Sequence, residues 1–173
     1  LLKREELTVL NTISTAEGAI QIAMEESTKT LHGSKILVMG FGRVSKILSN
    51  MLKGIGAEVY CETRTTVNCA WIKAYGYKPI LLDELDDELN QFDIIINTIP
   101  HIILNKEKLK LLKRDCLIID IASNPGGVDR KAAKEIGIKL IWALSLPGRV
   151  APITSAEFIK ETLENILKDI KNN

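Results

Sequence analysis

An apolar strand that runs directly into a glycine turn is the feature that most constrains this chain. Residues 35–39 form the strand pattern, Gly40 and Gly42 form the turn, and a helical pattern follows. In a doubly wound α/β domain, the first glycine permits a tight turn and the second lets the backbone approach a pyrophosphate. The next helix offers N–H groups and partial positive charge at its amino end. The motif predicts a dinucleotide phosphate site that includes Gly40, Gly42, Arg43 and Val44.

Ser45 occupies the place of the third glycine in this fingerprint. The third glycine allows a helix to pack closely on its strand, so a side chain there is expected to push the helix slightly outward. The turn alone leaves dinucleotide binding open, because two glycines after a strand are a weak signal. Segments further along the chain are needed to decide whether a dinucleotide binds.

Composition narrows the class of protein. The 173 residues are 46% apolar, which suits one domain with a sizeable core. Because 23 Lys and Arg balance 22 Asp and Glu, we expect no broad nucleic-acid-binding surface. Three cysteines without Cys-x-x-Cys spacing argue against a zinc site or a disulfide framework, and we expect no metal.

Targeting signals are also missing from the sequence. No apolar run reaches the roughly 18 residues of a membrane span, and no signal peptide is recognisable. The sequence therefore predicts a cytoplasmic protein without a membrane partner. Because the chain starts with Leu1 and a helix precedes the first strand, we expect it to be a fragment of a longer protein.

Alternating strand and helix patterns predict a doubly wound (Rossmann) parallel sheet of about six strands with helices on both faces. A capping box at Ser14 to Glu17 predicts that the first helix starts there and runs to about Glu26. The predicted strands are 35–39, 58–62, 77–81, 93–98, 116–121 and 139–143.

The last part of the chain has the pattern of one long helix. We expect its apolar stripe to pack in the core rather than to form a partner site. The stripe consists of Ile153, Ala156, Ile159, Leu163, Ile166 and Ile170. We divide the chain into a connecting segment with an interdomain helix (1–31), a nucleotide-binding domain (32–150) and a C-terminal helix that packs on or returns from that domain (151–173).

The end of the second predicted strand indicates which dinucleotide is bound. Strand alternation puts Thr63, rather than Glu62, where NAD-binding sites carry an acidic residue for the ribose hydroxyls. Arg64 and Thr65 follow, and an arginine with small hydroxyl residues suits the 2′-phosphate of NADP. We therefore favour NADP, with NAD as the alternative. An exposed Arg64 paired with Glu62 would be the purely structural interpretation.

Later strand ends supply the candidates for the nicotinamide side of the site. They are Thr98, Ile99 and Pro100 after the fourth strand, Ala122 after the fifth, and Leu146 and Pro147 after the sixth. His101 and Arg149 are weaker candidates, for acid–base chemistry and for a substrate carboxylate. Asp120 could cap a helix or belong to the site. No residue can be named as the catalytic base.

Taken together, these segments resemble the nucleotide-binding part of the dipicolinate synthase A-subunit family. The resemblance covers almost the whole chain and is carried by residues 14–20, 32–34, 40–43, 96–100, 122–127 and 146–152. It implies an amino-terminal domain joined through the first helix, and oxidation of a dihydrodipicolinate-type precursor to dipicolinate. It also implies the flavoprotein-like B subunit of dipicolinate synthase as partner, and the mother cell of a spore-forming bacterium as the location.

Other functions stay open from the sequence. Residues 147–154 also resemble a loop of methylenetetrahydrofolate dehydrogenases, and residues 63–65 resemble shikimate dehydrogenases. A non-catalytic NAD(P)-binding regulatory module would carry the same glycine turn. An S-adenosylmethionine methyltransferase is disfavoured, because it would need an acidic residue where Thr63 and Arg64 stand. The oligomeric state is left open, a homo-oligomer included.

Overall fold

Six parallel strands form one sheet in a computed structural model that describes residues 1 and 4–172. Residues 2, 3 and 173, at the outer ends of the first and last predicted segments, lie outside the described residues. The strands are β1 (Lys35–Met39), β2 (Glu58–Thr63), β3 (Lys78–Leu81), β4 (Ile94–Asn97), β5 (Leu117–Asp120) and β6 (Lys139–Trp142). Their spatial order is β3-β2-β1-β4-β5-β6. The predicted doubly wound parallel sheet is confirmed.

The described residues also form eight α-helices and one 3₁₀ turn, and one helix precedes the first strand whereas two follow the last. The helices are α1 (Glu5–Glu26), α2 (Arg43–Ile55), α3 (Thr66–Ala74), α4 (Leu85–Glu88), α5 (Lys106–Leu109), α6 (Arg130–Ile136), α7 (Leu146–Val150) and α8 (Pro152–Asn172), and the 3₁₀ turn is Leu89–Gln91. Within this described part, we find no helix with the length and hydropathy needed to cross a bilayer.

Helices cover both faces of the sheet because the central strands are apolar on both sides. On one face, β-strand side chains such as Val38 and Cys61 pack against α1 and α2. On the other, side chains such as Leu37 and Ile95 pack against the elements between 85 and 136. The strand order reverses between β1 and β4, which is where open sheets of this kind bind ligands, outside the carboxyl ends of the strands.

The first helix begins earlier than predicted. α1 starts at Glu5, so the prediction that Ser14 caps its amino end is wrong. The Thr15 hydroxyl donates to the carbonyl of Asn11 at 2.7 Å, and Ser14 is buried. Side chains of Ser and Thr inside a helix can bond back to the preceding turn, so the same residue types do not mark a helix start there.

The final helix is placed as predicted, but its apolar stripe is not in the core. The exposed fraction is 75% for Ile153, 44% for Leu163 and 66% for Ile170. The side buried against the rest of the chain carries Ser155 and Thr162 instead. The prediction of core packing for this stripe is therefore wrong within this chain. The division into segments 1–31, 32–150 and 151–173 stays a prediction.

Candidate dinucleotide site

The glycine turn lies tightly against the loop that follows β4. Gly40 has a φ of +89°, a conformation that side chains rarely adopt. A Cβ atom at Gly40 would also lie 3.0 Å from both Ile99 Cγ1 and Thr98 Oγ1. Gly42 is the N-cap of α2 and makes no side-chain bond, so the first N–H groups of the helix have no capping side chain. The turn therefore presents backbone donors at the switch point of the sheet.

Ser45 is accommodated in this turn by a hydrogen bond. Its side chain is fully buried, and its Oγ lies 2.9 Å from Thr98 Oγ1. The Thr98 hydroxyl in turn donates to the carbonyl of Met39 at 2.8 Å. A polar side chain at the third glycine position thus joins α2 to the ends of β1 and β4. The sequence could not show this bond, because its partners are 53 residues apart.

One groove runs from the glycine turn to the end of β2, and we name it the Arg64 groove. It encloses about 330 Å³ and brings together eight of the residues predicted from the sequence. These are Gly40, Gly42, Thr63, Arg64, Thr65, Thr98, Ile99 and Pro100.

Arg64 is the cation of this groove. Its side chain is exposed and, within the described residues, forms no hydrogen bond or ion pair, so the pairing with Glu62 that sequence analysis left open is not formed. The neighbouring hydroxyls are engaged: Thr63 accepts a bond from Asn68 Nδ2 at 3.1 Å, and Thr65 caps α3. The groove therefore offers a guanidinium to an incoming anion.

Glu62 is a groove residue whose role sequence analysis did not identify. Its side chain is buried, and Oε2 accepts the Gly40 N–H at 3.0 Å. The other oxygen, Oε1, has no hydrogen-bond partner among the described residues. Burial raises the pKa of this carboxyl above its usual value, opposed by the Gly40 N–H and the Arg64 charge. A charged residue near the carboxyl end of β2, next to the predicted site residues, was the available signal.

A second groove lies on the other side of the glycine turn, between α1 and α2. It encloses about 270 Å³, and α1 contributes the polar side chains of Thr8, Asn11, Thr12 and Thr15, facing Gly42, Arg43, Val44 and Thr98. The Arg43 guanidinium is bound by both carboxylate oxygens of Glu5, at 2.6 and 2.8 Å. Arg43 can therefore offer an anion its backbone N–H, while its side chain is engaged in an exposed ion pair with α1.

A buried polar pair shapes the loops after β4 and β5. Asp120 Oδ1 accepts bonds from Asn97 Nδ2 at 2.8 Å and from the Ala122 N–H at 3.1 Å. Asp120 Oδ2 accepts the Gly127 N–H at 2.7 Å, and Asn97 binds both the N–H and the carbonyl of Ile99. The Asp120 carboxylate, for which the sequence left two roles open, therefore fixes loop shape rather than capping a helix.

The match to a known family agrees with this geometry. Residues 10–135 match the family described as D-isomer specific 2-hydroxyacid dehydrogenase, NAD binding domain. The chain belongs to that family. The family is described by its NAD-binding domain, which supports a nicotinamide dinucleotide as the cofactor. Whether NAD or NADP is preferred does not follow from the match.

Individual proteins similar to this chain define the relationship more narrowly than the family match does. The chain is 37% identical to the A subunit of dipicolinate synthase from Bacillus subtilis, over 99% of the chain and 58% of the relative. The crystal structure of that B. subtilis protein superposes with a TM-score of 0.96, again covering 99% and 58%. The corresponding protein from Bacillus halodurans superposes with a TM-score of 0.94 at 34% identity, covering 96% and 58%. The predicted resemblance is confirmed, and the chain spans somewhat over half the length of these relatives.

Three predicted cofactor residues of this dehydrogenase domain lie outside the two grooves. Ala122 is buried, and its carbonyl accepts a bond from Trp142 Nε1 at 3.1 Å. Leu146 is buried against α1, where a Cβ on Gly18 would lie 3.1 Å from its Cβ. Pro147 is half-buried at the start of α7. Their contact with a cofactor stays a prediction, as does any role for the exposed His101 and Arg149.

Proposed function

We propose that this chain is the nucleotide-binding domain of a dipicolinate synthase-type oxidoreductase that uses NADP. The observation that carries the proposal is the Arg64 groove, in which a guanidinium without an ion pair among the described residues lies beside a glycine turn at the switch point of the sheet. The likeness to the B. subtilis dipicolinate synthase protein over 99% of the chain supports the reaction class. By that likeness, the protein acts in the mother-cell cytoplasm of a spore-forming bacterium.

The residues present fit a dinucleotide at three points. The amino end of α2, from Gly42 to Val44, suits the pyrophosphate because its N–H groups lack intrahelical partners. Arg64 suits the 2′-phosphate, since a guanidinium forms strong charge-assisted bonds to phosphate oxygens. The loop Thr98 to Pro100 continues the same groove toward the nicotinamide side.

The proposed reaction converts a dihydrodipicolinate-type ring to dipicolinate. Aromatisation removes one hydride and one proton from the ring, and the nicotinamide, when bound, supplies the hydride acceptor. The chain's own contribution is orientation, because the buried Asn97–Asp120 pair fixes the loops after β4 and β5. The proton acceptor is not assigned to any residue of this chain.

The proposed assembly includes a second polypeptide. The B. subtilis relative is named as one of the lettered subunits of dipicolinate synthase, which implies a B subunit beside it. We therefore expect turnover only when the intact protein is combined with its flavoprotein-like partner. If the dinucleotide binds but is never reduced in that mixture, the domain is a binding module and the enzymatic proposal fails.

The cofactor proposal is tested by titrating the intact protein with NADP and with NAD in a calorimeter. We expect Arg64→Ala to weaken NADP binding by about 1–3 kcal/mol, as loss of a charge-assisted contact should. NAD binding is expected to change little. Arg114→Ala is the matched control, because it removes the same charge from an exposed position before the amino end of β5. Equal losses for both cofactors would show that Arg64 does not bind the phosphate.

A further inference from the structure

One side of α3 is apolar and exposed along the length of the helix. We name it the α3 face, and it consists of Val67, Ala70, Trp71, Ala74 and the C-cap residue Tyr75. These positions recur every three or four residues, so they lie on one side of the helix. The exposed fraction is 67% for Val67, 55% for Trp71 and 47% for Tyr75. Contiguous exposed apolar surface of this kind marks a site where another molecule binds.

The aromatic rings of the α3 face are held in place by their neighbours. Trp71 stacks on Tyr75 with ring centroids 6.0 Å apart, and Tyr75 stacks at the same distance on the buried Tyr77. Tyr75 also lies 6.2 Å from the ring of Phe41 in the glycine turn. Because rings fixed in this way lose little conformational freedom when they are covered, the α3 face is preorganised for binding.

The segments around the α3 face are strongly basic. Residues 40–57 and 63–82, which include α2 and α3, contain none of the 22 Asp and Glu of the chain. Their six basic residues are Arg43, Lys46, Lys53, Arg64, Lys73 and Lys78. Ion pairs engage the first and last of these six, whereas the other four form none within the described residues. Between the two segments, Glu62 is buried and Glu58 is paired with Lys78. In a chain of net charge +1, this segregation gives the surface around α2 and α3 a positive potential.

We propose that the α3 face is the docking surface for the second subunit of the proposed assembly, through a surface that is apolar at its centre and acidic at its rim. The inference rests on the proposed function and deepens it, since that proposal includes a partner without a place for it on this chain. Trp and Tyr at the centre of an interface commonly contribute most of the binding energy. Acidic side chains at the rim of the partner would complement the cations around α2 and α3.

Charge and ring geometry favour this partner over two other occupants. A second copy of the chain would bring the cations of one α3 face against those of the other, which is unfavourable. A single-stranded nucleic acid needs free ring faces on which its bases stack. The Tyr75 ring already stacks on Trp71 and on Tyr77, and Lys53 Nζ lies 5.5 Å from the centre of the Tyr77 ring. Lys53 Nζ also donates to the Tyr75 carbonyl at 2.7 Å, so these groups are engaged with one another rather than free for bases and phosphates.

The apolar centre is tested by titrating the intact protein with the second subunit in a calorimeter. We expect Trp71→Ala to raise the dissociation constant about tenfold or more, because truncating a central aromatic side chain is costly. Leu167→Ala is the matched control, since it shortens a side chain that is 59% exposed on the apolar stripe of α8. It should change the dissociation constant by less than about twofold.

The acidic rim is tested by reversing one charge. Lys73→Glu, in the last turn of α3, should weaken binding about tenfold at about 0.05 M salt and much less at about 0.5 M salt, where charges are screened. Lys134→Glu makes the same reversal in the last turn of α6 and should have little effect. NADP binding should be the same in all four variants, because none of the changed residues lines the Arg64 groove.

Several results would overturn the inference. If Trp71→Ala and Lys73→Glu bound the second subunit as tightly as the wild type, the subunit would dock elsewhere, and the proposed assembly would stand without the α3 face. Loss of binding in Leu167→Ala instead would assign docking to α8. If the wild type did not bind the second subunit at all, the inference and the proposed assembly would fail together. Self-association in sedimentation, or binding of a single-stranded oligonucleotide, would assign the α3 face to another occupant if Trp71→Ala abolished it.

Discussion

Removing one oxygen from the buried Asp120 carboxylate should destabilise the fold measurably. Asp120 is 2% exposed and accepts three hydrogen bonds, two at Oδ1 and one at Oδ2. In Asp120→Asn, the amide oxygen can keep the bonds from Asn97 and Ala122. The new NH₂ group then faces the Gly127 N–H, donor against donor. Rotating the amide by 180° would destabilise the fold more, because Asn97 Nδ2 and the Ala122 N–H would both lose their acceptor.

The size of the effect follows from this count. A hydrogen bond to a charged group contributes about 1.5–3 kcal/mol, and a buried donor left without an acceptor costs about 1–3 kcal/mol. Both figures describe the same Gly127 N–H, so they do not add in full. We therefore expect Asp120→Asn to lower the free energy of unfolding by about 3 kcal/mol. For a protein of 173 residues, this lowers the melting temperature by about 6–12 °C.

Asp129 provides the matched control. Its side chain caps α6 by accepting the Ala132 N–H at 3.0 Å, and Asn is as good a cap as Asp. Asp129→Asn should therefore change the free energy of unfolding by less than about 0.5 kcal/mol. Both variants are compared by urea denaturation and by thermal melting. If Asp120→Asn were no less stable than Asp129→Asn, the inferred role of Asp120 would be wrong.

Two further predictions concern stability elsewhere in the chain. Burial by itself would raise the pKa of Asp93, but bonds from Lys29, the Lys35 N–H and Lys113 outweigh it and lower the pKa to about 2. Because the folded pKa lies below the unfolded one, this stabilisation of about 2 kcal/mol is present above about pH 4 and is lost toward pH 2. Urea denaturation should show that loss in the wild type and not in Asp93→Asn, and an identical pH profile would refute it. Ile153→Ala on the exposed stripe of α8 should cost less than about 0.5 kcal/mol, whereas the fully buried Ile95→Ala should cost about 2–5 kcal/mol. Equal losses in the two variants would show that the α8 stripe is packed after all.

The sheet and the glycine turn were predictable from the sequence because their signals are local. The central strands are short apolar runs, and the turn from Gly40 to Gly42 follows the first of them. The predicted placement of all six strands is confirmed to within a residue or two, since a parallel sheet buried on both faces requires continuous apolar segments. Eight of the thirteen proposed cofactor residues then meet in one groove because strand ends meet at one edge of the sheet.

The errors at both ends of the chain also have a physical cause. A Ser-Thr-Ala-Glu sequence can cap a helix or lie within one, and the choice depends on whether the upstream residues pack against the rest of the fold, as the buried Leu7 does. In α8, helical periodicity identified an apolar stripe around Leu163 without indicating what covers it. Helical periodicity shows which residues share one face of a helix, but it does not show which other element that face contacts.

The sequence by itself thus determined the fold class, the position of the phosphate turn and the candidate cation Arg64. Only the tertiary structure decided how the polar groups around them are paired. Ser45 with Thr98, Glu62 with Gly40, and Asp120 with Gly127 and Asn97 are pairs brought together by strand order and loop closure. The energy of such a pair depends on distance and burial, and neither is fixed until the sheet has assembled.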